Sequence, residues 1–550
     1  MIVKMKHLDL VCVTSERDAA LERLRALGAV HLDLGSAQGP AVAAAKDDAA
    51  DAETAVRIIL KARGKNPAPD QGKATFTASV PEILAFQDKA DALKRDAERL
   101  QREIAKYEPY GDFDPLLARK LLDLGIDLKS VAELPEILPE KRLSELRADL
   151  VRANDERAAI EVNLARIDER KIVAEYPELG DRIAFAAAKE LMSERGAVAF
   201  ISGWVPVPQV AHLRLYAHDA AWGVLLRDPA EGETPPTLVE PPKVFKPMKA
   251  LFDGLGIAPA YTEADVSVPF MCYFSLFFAM LVGDGAYGAI FLAATLALRK
   301  KLPRSWFVLL TVFSSATVLW GFLSNTWFGA GIPFLAGLPT VRWLADPSYH
   351  NMMLLCFTIG VSHLMLARIW NGICRLPDST AVAEFGWAGV LLFMYLVTNS
   401  IVGIFSGIPS WAFWVFGAAL VCVFGFSVKP SELKTRGAEL GMLPLNIMSA
   451  LGDIISYVRL FAVGLASVKV AENFNSMATG LVAGADAFWL KALLSVAMVA
   501  ILVVGHGLNL AMAGLSILVH AVRLNTLEFS NHKGVSWSGY AFSPFKKNTP

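Results

Sequence analysis

The sequence predicts an α-helical polytopic membrane domain of about eight spans, the last two long, preceded by an N-terminal α+β arm. Hydrophobic residues make up 54% of the 550 residues, and the mean hydropathy is +0.40. Only 27 of the 107 Asp, Glu, Lys and Arg residues follow Asp265. After that residue, apolar blocks recur at about the 20-residue length that crosses a bilayer. The two halves of the chain are therefore expected to lie in different solvents.

The arm is predicted to occupy residues 1–265, and the membrane-embedded domain residues 266–550. Met5, Leu8 and Leu10 nearly alternate with polar residues, which indicates a strand, and a helix is expected after it. A second strand–helix–strand pattern follows much later in the arm. The predicted parts are two small α/β lobes at 1–75 and 195–232, a helical coiled coil at 79–172 that joins them, and a linker at 233–265.

The coiled coil is predicted from two long polar helices, at about 79–106 and 141–170. Each carries a narrow apolar stripe on an otherwise charged surface. Such stripes favour an antiparallel pair packed stripe against stripe. A solvated pair of helices with no partner is the alternative.

The membrane domain is predicted from its apolar blocks. The first two blocks are short, and one long span is the alternative for them. The predicted spans are 268–282, 286–298, 306–322, 352–373, 382–405, 411–426, 443–474 and 488–527.

Loop charges favour eight spans, because positive residues collect on the cytoplasmic side of a membrane. With eight spans, the cation-rich loops fall on the same side as Lys243, Lys246 and Lys249. The loops on the opposite side hold Arg342 as their only Lys or Arg residue. The N-terminus lacks the apolar core of a signal peptide. We therefore expect a multi-pass protein of the inner (plasma) membrane with both termini cytoplasmic.

Composition argues against nucleic-acid, metal and nucleotide sites. The net charge of −1 offers no cluster of cations for phosphates. The five cysteines are scattered without a CxxC pair, and no GxxxxGK[ST] loop occurs. We expect no nucleic-acid partner, no cofactor, no metal and no ATP site on this chain.

Arg459 lies near the middle of the seventh predicted span, where a permanent charge costs about 2.5–3.5 kcal/mol on insertion scales. Guanidinium groups stay protonated at any relevant pH, so this is a fixed positive charge. The structural alternative is that Arg459 pairs with Asp453 or a carbonyl as a helix tie. The eighth span favours a functional interpretation.

Polar residues in the eighth span follow helical spacing. The offsets of 0, 3, 10, 14 and 17 keep them on one face of a single helix at 3.6 residues per turn. A polar stripe of that length suits a water-filled or proton-bearing groove better than a lipid-facing surface. The stripe consists of His506, Asn509, Ser516, His520 and Arg523.

Four motifs resemble those of the V-type ATPase a subunit, called subunit I in bacteria. SYVRLFAVGLA at 456–466 and HAVRLNTLEF at 520–529 resemble its two signature helices. FFAMLVGDGAYG at 277–288 resembles a motif near its first span, and ISGWVP at 201–206 one in its soluble region. The four occur in the family's order along essentially the whole chain.

The resemblance implies a stator subunit of a rotary ATPase or synthase. In that family the membrane half cups a rotating proteolipid ring, and two offset half-channels let ions reach a buried carboxylate on each ring subunit. By motif match, Arg459 and Arg523 meet that carboxylate. The residues expected to tune or line the ion route are His520, Glu528, Ser456, His506, Asn509 and Ser516, and those expected as structural ties or channel residues are Asp284, Tyr287 and Asp453.

The resemblance also implies partners, namely a proteolipid c/K ring, peripheral-stalk E/G subunits, a central-stalk C/d subunit and the lipid bilayer. Two residues depart from some relatives, because Ala513 and Ser467 replace an acidic residue and a histidine. The histidines beside the arginines favour protons over sodium. A stand-alone secondary transporter and a membrane-tethered scaffold are the alternatives.

Overall fold

The computed structural model describes residues 1–65, 77–124, 135, 137–344, 346, 348–429, 433–483 and 488–548. The end of the predicted first lobe and residues 125–134 of the predicted coiled coil lie outside these. The chain forms two compact units. One, here called the sheet unit, comprises Lys6–Asp228 and Ser543–Pro550, and the other, the membrane unit, comprises Met1–Met5 and Pro229–Phe542.

The sheet unit contains one four-stranded sheet, so the two predicted lobes are not separate. Its strand order is β2-β3-β1-β4, and β1 pairs antiparallel with β4 from His7↔Arg227 to Val11↔Gly223. Alternate residues of β1 are buried, as the sequence pattern predicts. Near residue 31 the chain forms a single β-bridge, His31↔Trp204, rather than a strand. The strands are β1 (Met5–Val13), β2 (Ser193–Arg195), β3 (Val198–Pro206) and β4 (Gly223–Arg227).

The helices of the sheet unit form more than a two-helix arm. Ile83 at the start of α3 (Val80–Tyr107) clusters with Leu164 at the end of α5 (Leu143–Ala165). Tyr107 at the end of α3 clusters with Leu143, so these two helices are antiparallel. The helix α2 adds Ile59 to the first cluster. The helices are α1 (Arg17–Leu27), α2 (Pro40–Lys65), α3 (Val80–Tyr107), α4 (Pro115–Asp123), α5 (Leu143–Ala165), α6 (Glu169–Leu191) and α7 (Val210–Asp219).

The membrane unit is helical, as predicted. Among the described residues, five helices are long and apolar enough to cross a membrane. Its helices are α8 (Met248–Leu255), α9 (Ser267–Val282), α10 (Gly285–Ala297), α11 (Arg304–Ser324), α12 (Pro339–Leu344), α13 (His350–Arg375), α14 (Thr380–Ile401), α15 (Ser410–Phe426), α16 (Leu433–Ile455), α17 (Val458–Ala483), α18 (Phe488–Ser516) and α19 (Ser530–Lys533).

The first predicted pair of spans is neither one straight helix nor two full-length spans. α9 and α10 meet at a bend of 119°. Gly283 adopts a left-handed φ of 71° at the break, and a Cβ on Gly464 of α17 would lie 2.5 Å from the carbonyl oxygen of Met280. Glycine thus permits both the turn and the close approach of α17. Counted as one broken span, the pair brings the candidate spans in the described residues to six, with the shorter α15 besides.

The last two apolar segments are long, at Leu440–Ala483 and Trp489–Lys533. Each would extend about 65 Å as a straight α-helix, roughly twice the hydrocarbon core. The first breaks between α16 and α17. The second passes from α18 into two π-helical segments, Ile517–Ala521 and Leu524–Phe529, before α19.

Candidate functional site

Both predicted arginines contact the same carboxylate. Nη1 of Arg459 lies 3.4 Å from Oε1 of Glu528, and Nε of Arg523 lies 3.5 Å from that oxygen. The Glu528 side chain is 5% exposed, whereas that of Arg523 is 53% exposed. Two fixed positive charges therefore share one buried negative charge, and one of the two arginines, Arg523, is exposed.

The break between α16 and α17 positions Arg459. Ser456 donates its hydroxyl to the carbonyl of Gly452 at 2.9 Å and accepts Nη2 of Arg459 at 3.0 Å. The next residue, Tyr457, is fully buried, with its hydroxyl 2.8 Å from Nδ1 of His363. These contacts fix the first turn of α17. Asp453, the alternative partner for Arg459, instead lies 3.0 Å from His532.

The π-helical turns explain why Arg523 reaches Glu528. These residues are five apart, and hydrogen bonds of the i→i+5 type bring such residues onto one face. A regular α-helix would separate them widely around the axis. The wider turn was not predicted from the sequence, which was interpreted at 3.6 residues per turn throughout.

A second polar cluster joins α10, α17 and α18. The Tyr287 hydroxyl lies 2.7 Å from Nδ1 of His506 and accepts Nδ2 of Asn509 at 3.1 Å. Asn509 also bonds to Ser467, whose hydroxyl donates to its Oδ1 at 3.1 Å. Nε2 of His506 lies 3.1 Å from Oδ1 of Asn475. The predicted residues Tyr287, His506 and Asn509 thus form one network, to which Ser467 and Asn475 are additions.

Asp284 accepts two backbone hydrogen bonds at the bend between α9 and α10. One of its carboxylate oxygens accepts the backbone N–H of Ala286 at 2.8 Å and caps α10, and the other accepts the N–H of Gly329 at 2.8 Å. The side chain is 1% exposed. Both oxygens are thus engaged by backbone donors at the bend.

A third polar cluster lies where α16 and α13 meet the end of the chain's last helix. Oδ2 of Asp453 lies 3.0 Å from Nε2 of His532, and Arg368 donates Nε to Nδ1 of His532 at 3.0 Å. Since Nδ1 accepts this bond, the ring carries its proton on Nε2 and donates it to Asp453. Arg368 and Arg375 also contact Glu384, at 3.1 and 2.8 Å. A cavity of about 550 Å³ borders this cluster.

Sequence reasoning missed Arg368, Glu384 and His532. The available signal was their position, because Arg368 and Glu384 lie inside predicted spans, where a charge needs a reason.

Ser516 and His520 lie between His506 and Arg523, at the end of α18 and in the π-helical segment that follows it. Both side chains are half-buried, whereas Leu515 and Leu518 beside them are exposed. Within the described part of the chain, neither Ser516 nor His520 hydrogen-bonds through its side chain. Nor do the described residues contain a group of three His, Cys, Asp or Glu side chains that could hold a metal ion.

Comparison with known proteins gives relatives of one kind. The chain is 32% identical over 380 residues to V-type ATP synthase subunit I of Borreliella burgdorferi, covering 65% of this chain and 62% of that protein. It is 26% identical to V-type ATP synthase subunit I 1 of Treponema pallidum, with all of both chains covered. It is 24% identical to A-type ATP synthase subunit I of Methanocaldococcus jannaschii, covering 74% of this chain and 64% of that protein.

The match therefore spans less than two thirds of the Borreliella and Methanocaldococcus proteins and the full length of the Treponema protein. No family model matches the sequence. The relatives named here are all subunit I proteins of V-type or A-type ATP synthases, and the chain is similar to each of them.

Proposed function

We propose that this chain is the stator subunit of a rotary V-type ATP synthase or ATPase, and that it couples proton flow to rotation of a proteolipid ring. The relatives are named as subunit I of V-type ATP synthases, and we propose that this chain is likewise a non-catalytic membrane subunit, with the ATP site on other chains. The proposed task of the membrane unit is thus to carry protons to and from the ring.

The observation that carries this proposal is the convergence of Arg459 and Arg523 on one buried carboxylate. A ring carboxylate in an apolar setting resists ionisation, and a nearby fixed cation offsets that penalty. The half-exposed Arg523 is available to such a partner. Arg459 is less exposed and is held by Ser456 and Glu528. The pair would favour proton release from the ring and oppose direct leakage between the two routes.

The other two polar clusters support separate routes on either side of the arginines. His506 precedes Arg523 by 17 residues, or about 25 Å of helix. His532 follows Arg523 and lies beside the 550 Å³ cavity. We propose that the Tyr287–His506–Asn509 network borders one route, with Ser516 and His520 continuing it, and that Asp453 and His532 border the other.

Chain connectivity supports a topology with an even number of crossings. The sheet unit contains both residues 6–228 and the tail that follows residue 542. Both ends of the membrane unit therefore lead to the same unit. We propose eight spans, in which α9 and α10 count as two short spans, with both termini on the cytoplasmic side of the inner membrane.

The proposed partners are the proteolipid c/K ring, at the arginines, and the peripheral-stalk E/G and central-stalk C/d subunits, at the sheet unit. Co-purification of the tagged chain in mild detergent tests this assembly. Recovery of the chain with a proteolipid ring and nucleotide-binding subunits is expected. Recovery of a functional chain alone would instead favour a secondary transporter.

The role of the arginines is tested by replacing Arg459 with Ala and with Lys in the intact complex. We expect assembly to persist and ATP-driven proton uptake into vesicles to fall at least tenfold with either residue. Lysine is expected to fail because a desolvated amine can lose its proton, unlike a guanidinium. Lys469→Ala, which alters an exposed ion pair with Glu472, is the control. Normal pumping by assembled Arg459→Ala complexes would refute the role.

A further inference from the structure

A large groove in the membrane unit lies apart from the arginines. It has a volume of about 970 Å³ and lies between the first turns of α9 and the later turns of α13. Its wall is apolar and aromatic, and Cys272 and Leu366 within it are exposed. The wall residues are Val268, Cys272, Tyr273, Leu366 and Trp370.

The rim of the groove is polar, and its carboxylates are already engaged. Glu263 accepts the backbone N–H and the hydroxyl of Ser536 at 2.7 and 2.6 Å. Asp265 accepts the N–H of Ser267 at 3.0 Å and lies 2.6 Å from the Met1 ammonium. These acids therefore serve the local fold and are poor candidates for binding a cationic ligand.

Lys4 is the cation on this rim that lacks a carboxylate partner in the described residues. It is exposed, and the backbone beside it is fixed because Val3 donates its N–H to the carbonyl of Leu238 at 2.9 Å. A second cation stands behind the wall, where Nζ of Lys533 lies 4.6 Å from the ring centroid of Trp370. Lys4 is thus a rim cation available to a ligand, whereas the Met1 ammonium already pairs with Asp265.

We propose that this groove binds an anionic phospholipid, with its phosphate at Lys4 and an acyl chain along Leu366 and Trp370. The order of polar rim and apolar wall matches the order of headgroup and chain in a lipid. The volume is within the range of small-molecule sites. Basic pockets beside membrane helices are suited to anionic headgroups. The lipid would bridge α9, which leads into the bent pair, and α13.

The exposed thiol of Cys272 provides a direct readout, and Cys374 is the matched control. Both are exposed, but Cys374 lies near the end of α13 and does not line the groove. The full chain is placed in mixed micelles of detergent with either phosphatidylglycerol or phosphatidylcholine. Mass spectrometry of the peptides measures how fast N-ethylmaleimide labels each thiol. We expect phosphatidylglycerol to slow labelling of Cys272 about fivefold more than phosphatidylcholine does, with no such difference at Cys374.

Two variants test the parts of the site. Lys4→Glu is expected to abolish the preference for phosphatidylglycerol, while Lys243→Glu, outside the groove, is expected to retain it. Leu366→Trp should fill the groove and remove the lipid dependence of Cys272 labelling. Equal protection by both lipids, or a preference that survives Lys4→Glu, would overturn the proposal. So would protection of Cys272 that appears only with partner subunits, which would assign the groove to a protein.

Discussion

Arg459 and Glu528 are 69 residues apart in the sequence, yet Nη1 of the guanidinium lies 3.4 Å from Oε1 of the carboxylate. Arg523 contacts the same oxygen at 3.5 Å. The other oxygen, Oε2, is buried and has no hydrogen-bond partner in the described residues. Glu528 is therefore the internal counter-ion of both arginines, and one positive charge remains uncompensated.

Glu528→Gln keeps the size of this side chain and removes its charge. We expect the complex to assemble and ATP-driven proton pumping to fall about tenfold, because two uncompensated guanidinium groups would hold a ring carboxylate too tightly. Vesicle acidification at matched complex content measures this.

The control for that variant is Glu472→Gln, the same chemical change in an exposed pair with Lys469. It should leave pumping unchanged, since exposed ion pairs contribute little. Equal pumping by the two variants would contradict the counter-ion role of Glu528.

Tyr287→Phe should destabilise the membrane unit. The lost hydroxyl removes one hydrogen-bond partner from His506 and one from Asn509 in a buried network, which costs about 1–3 kcal/mol. A lower unfolding temperature in detergent is the expected measurement. Tyr273→Phe makes the same change at a hydroxyl that lies 3.2 Å from the Ser362 hydroxyl in an exposed position, and a much smaller shift is expected. Equal shifts would argue against the network.

Phe545→Ala should destabilise the sheet unit, because the C-terminal tail completes its core. Phe545 is 4% exposed, and its backbone N–H donates to the carbonyl of Val30 at 2.7 Å. A large-to-small change at such a site costs about 3–5 kcal/mol. Denaturant unfolding of the full chain, followed by hydrogen exchange in β1 and β3, measures the loss. Lys547→Ala, at an exposed residue, is the control. If Phe545→Ala left the protection of the strands unchanged, the tail would be dispensable.

Acid should weaken the attachment of this tail within the sheet unit. Nδ1 of His31 lies 2.9 Å from the carbonyl oxygen of Ser543, and burial lowers the pKa of its imidazole below the usual value near 6.5. The unfolded state then binds more protons, so stability falls as the pH drops through about 6.5. The protection factors of residues 543–548, which correct for the pH dependence of intrinsic amide exchange, should decrease as the pH falls from 7.5 to 5.

His31→Gln tests that assignment, since it removes the titrating group. We expect it to reduce the pH dependence of the protection factors in the tail. His218→Gln, at a histidine whose side chain is 91% exposed, should leave that dependence unchanged. An unchanged pH dependence in His31→Gln would place the titration elsewhere.

Local sequence features predicted much of this protein. The apolar lengths identified the helices of the membrane unit, and the alternation in β1 identified its buried face. The spacing of His506 and Asn509 also placed them on one side of α18, where both contact Tyr287. The predicted separation into two lobes failed because pairing between β1 and β4 joins residues more than 200 positions apart.

By itself, the sequence determined that the C-terminal half is apolar and helical and that two permanent charges lie within its last two long segments. These properties depend on the solvent preference of each residue and on short-range spacing. Only the tertiary structure decided that Glu528 joins Arg459 to Arg523, that α9 and α10 meet at 119°, and that His532 links Arg368 to Asp453. Such partnerships depend on packing between distant segments and on a local change from α- to π-helical turns, and helical spacing alone specifies neither.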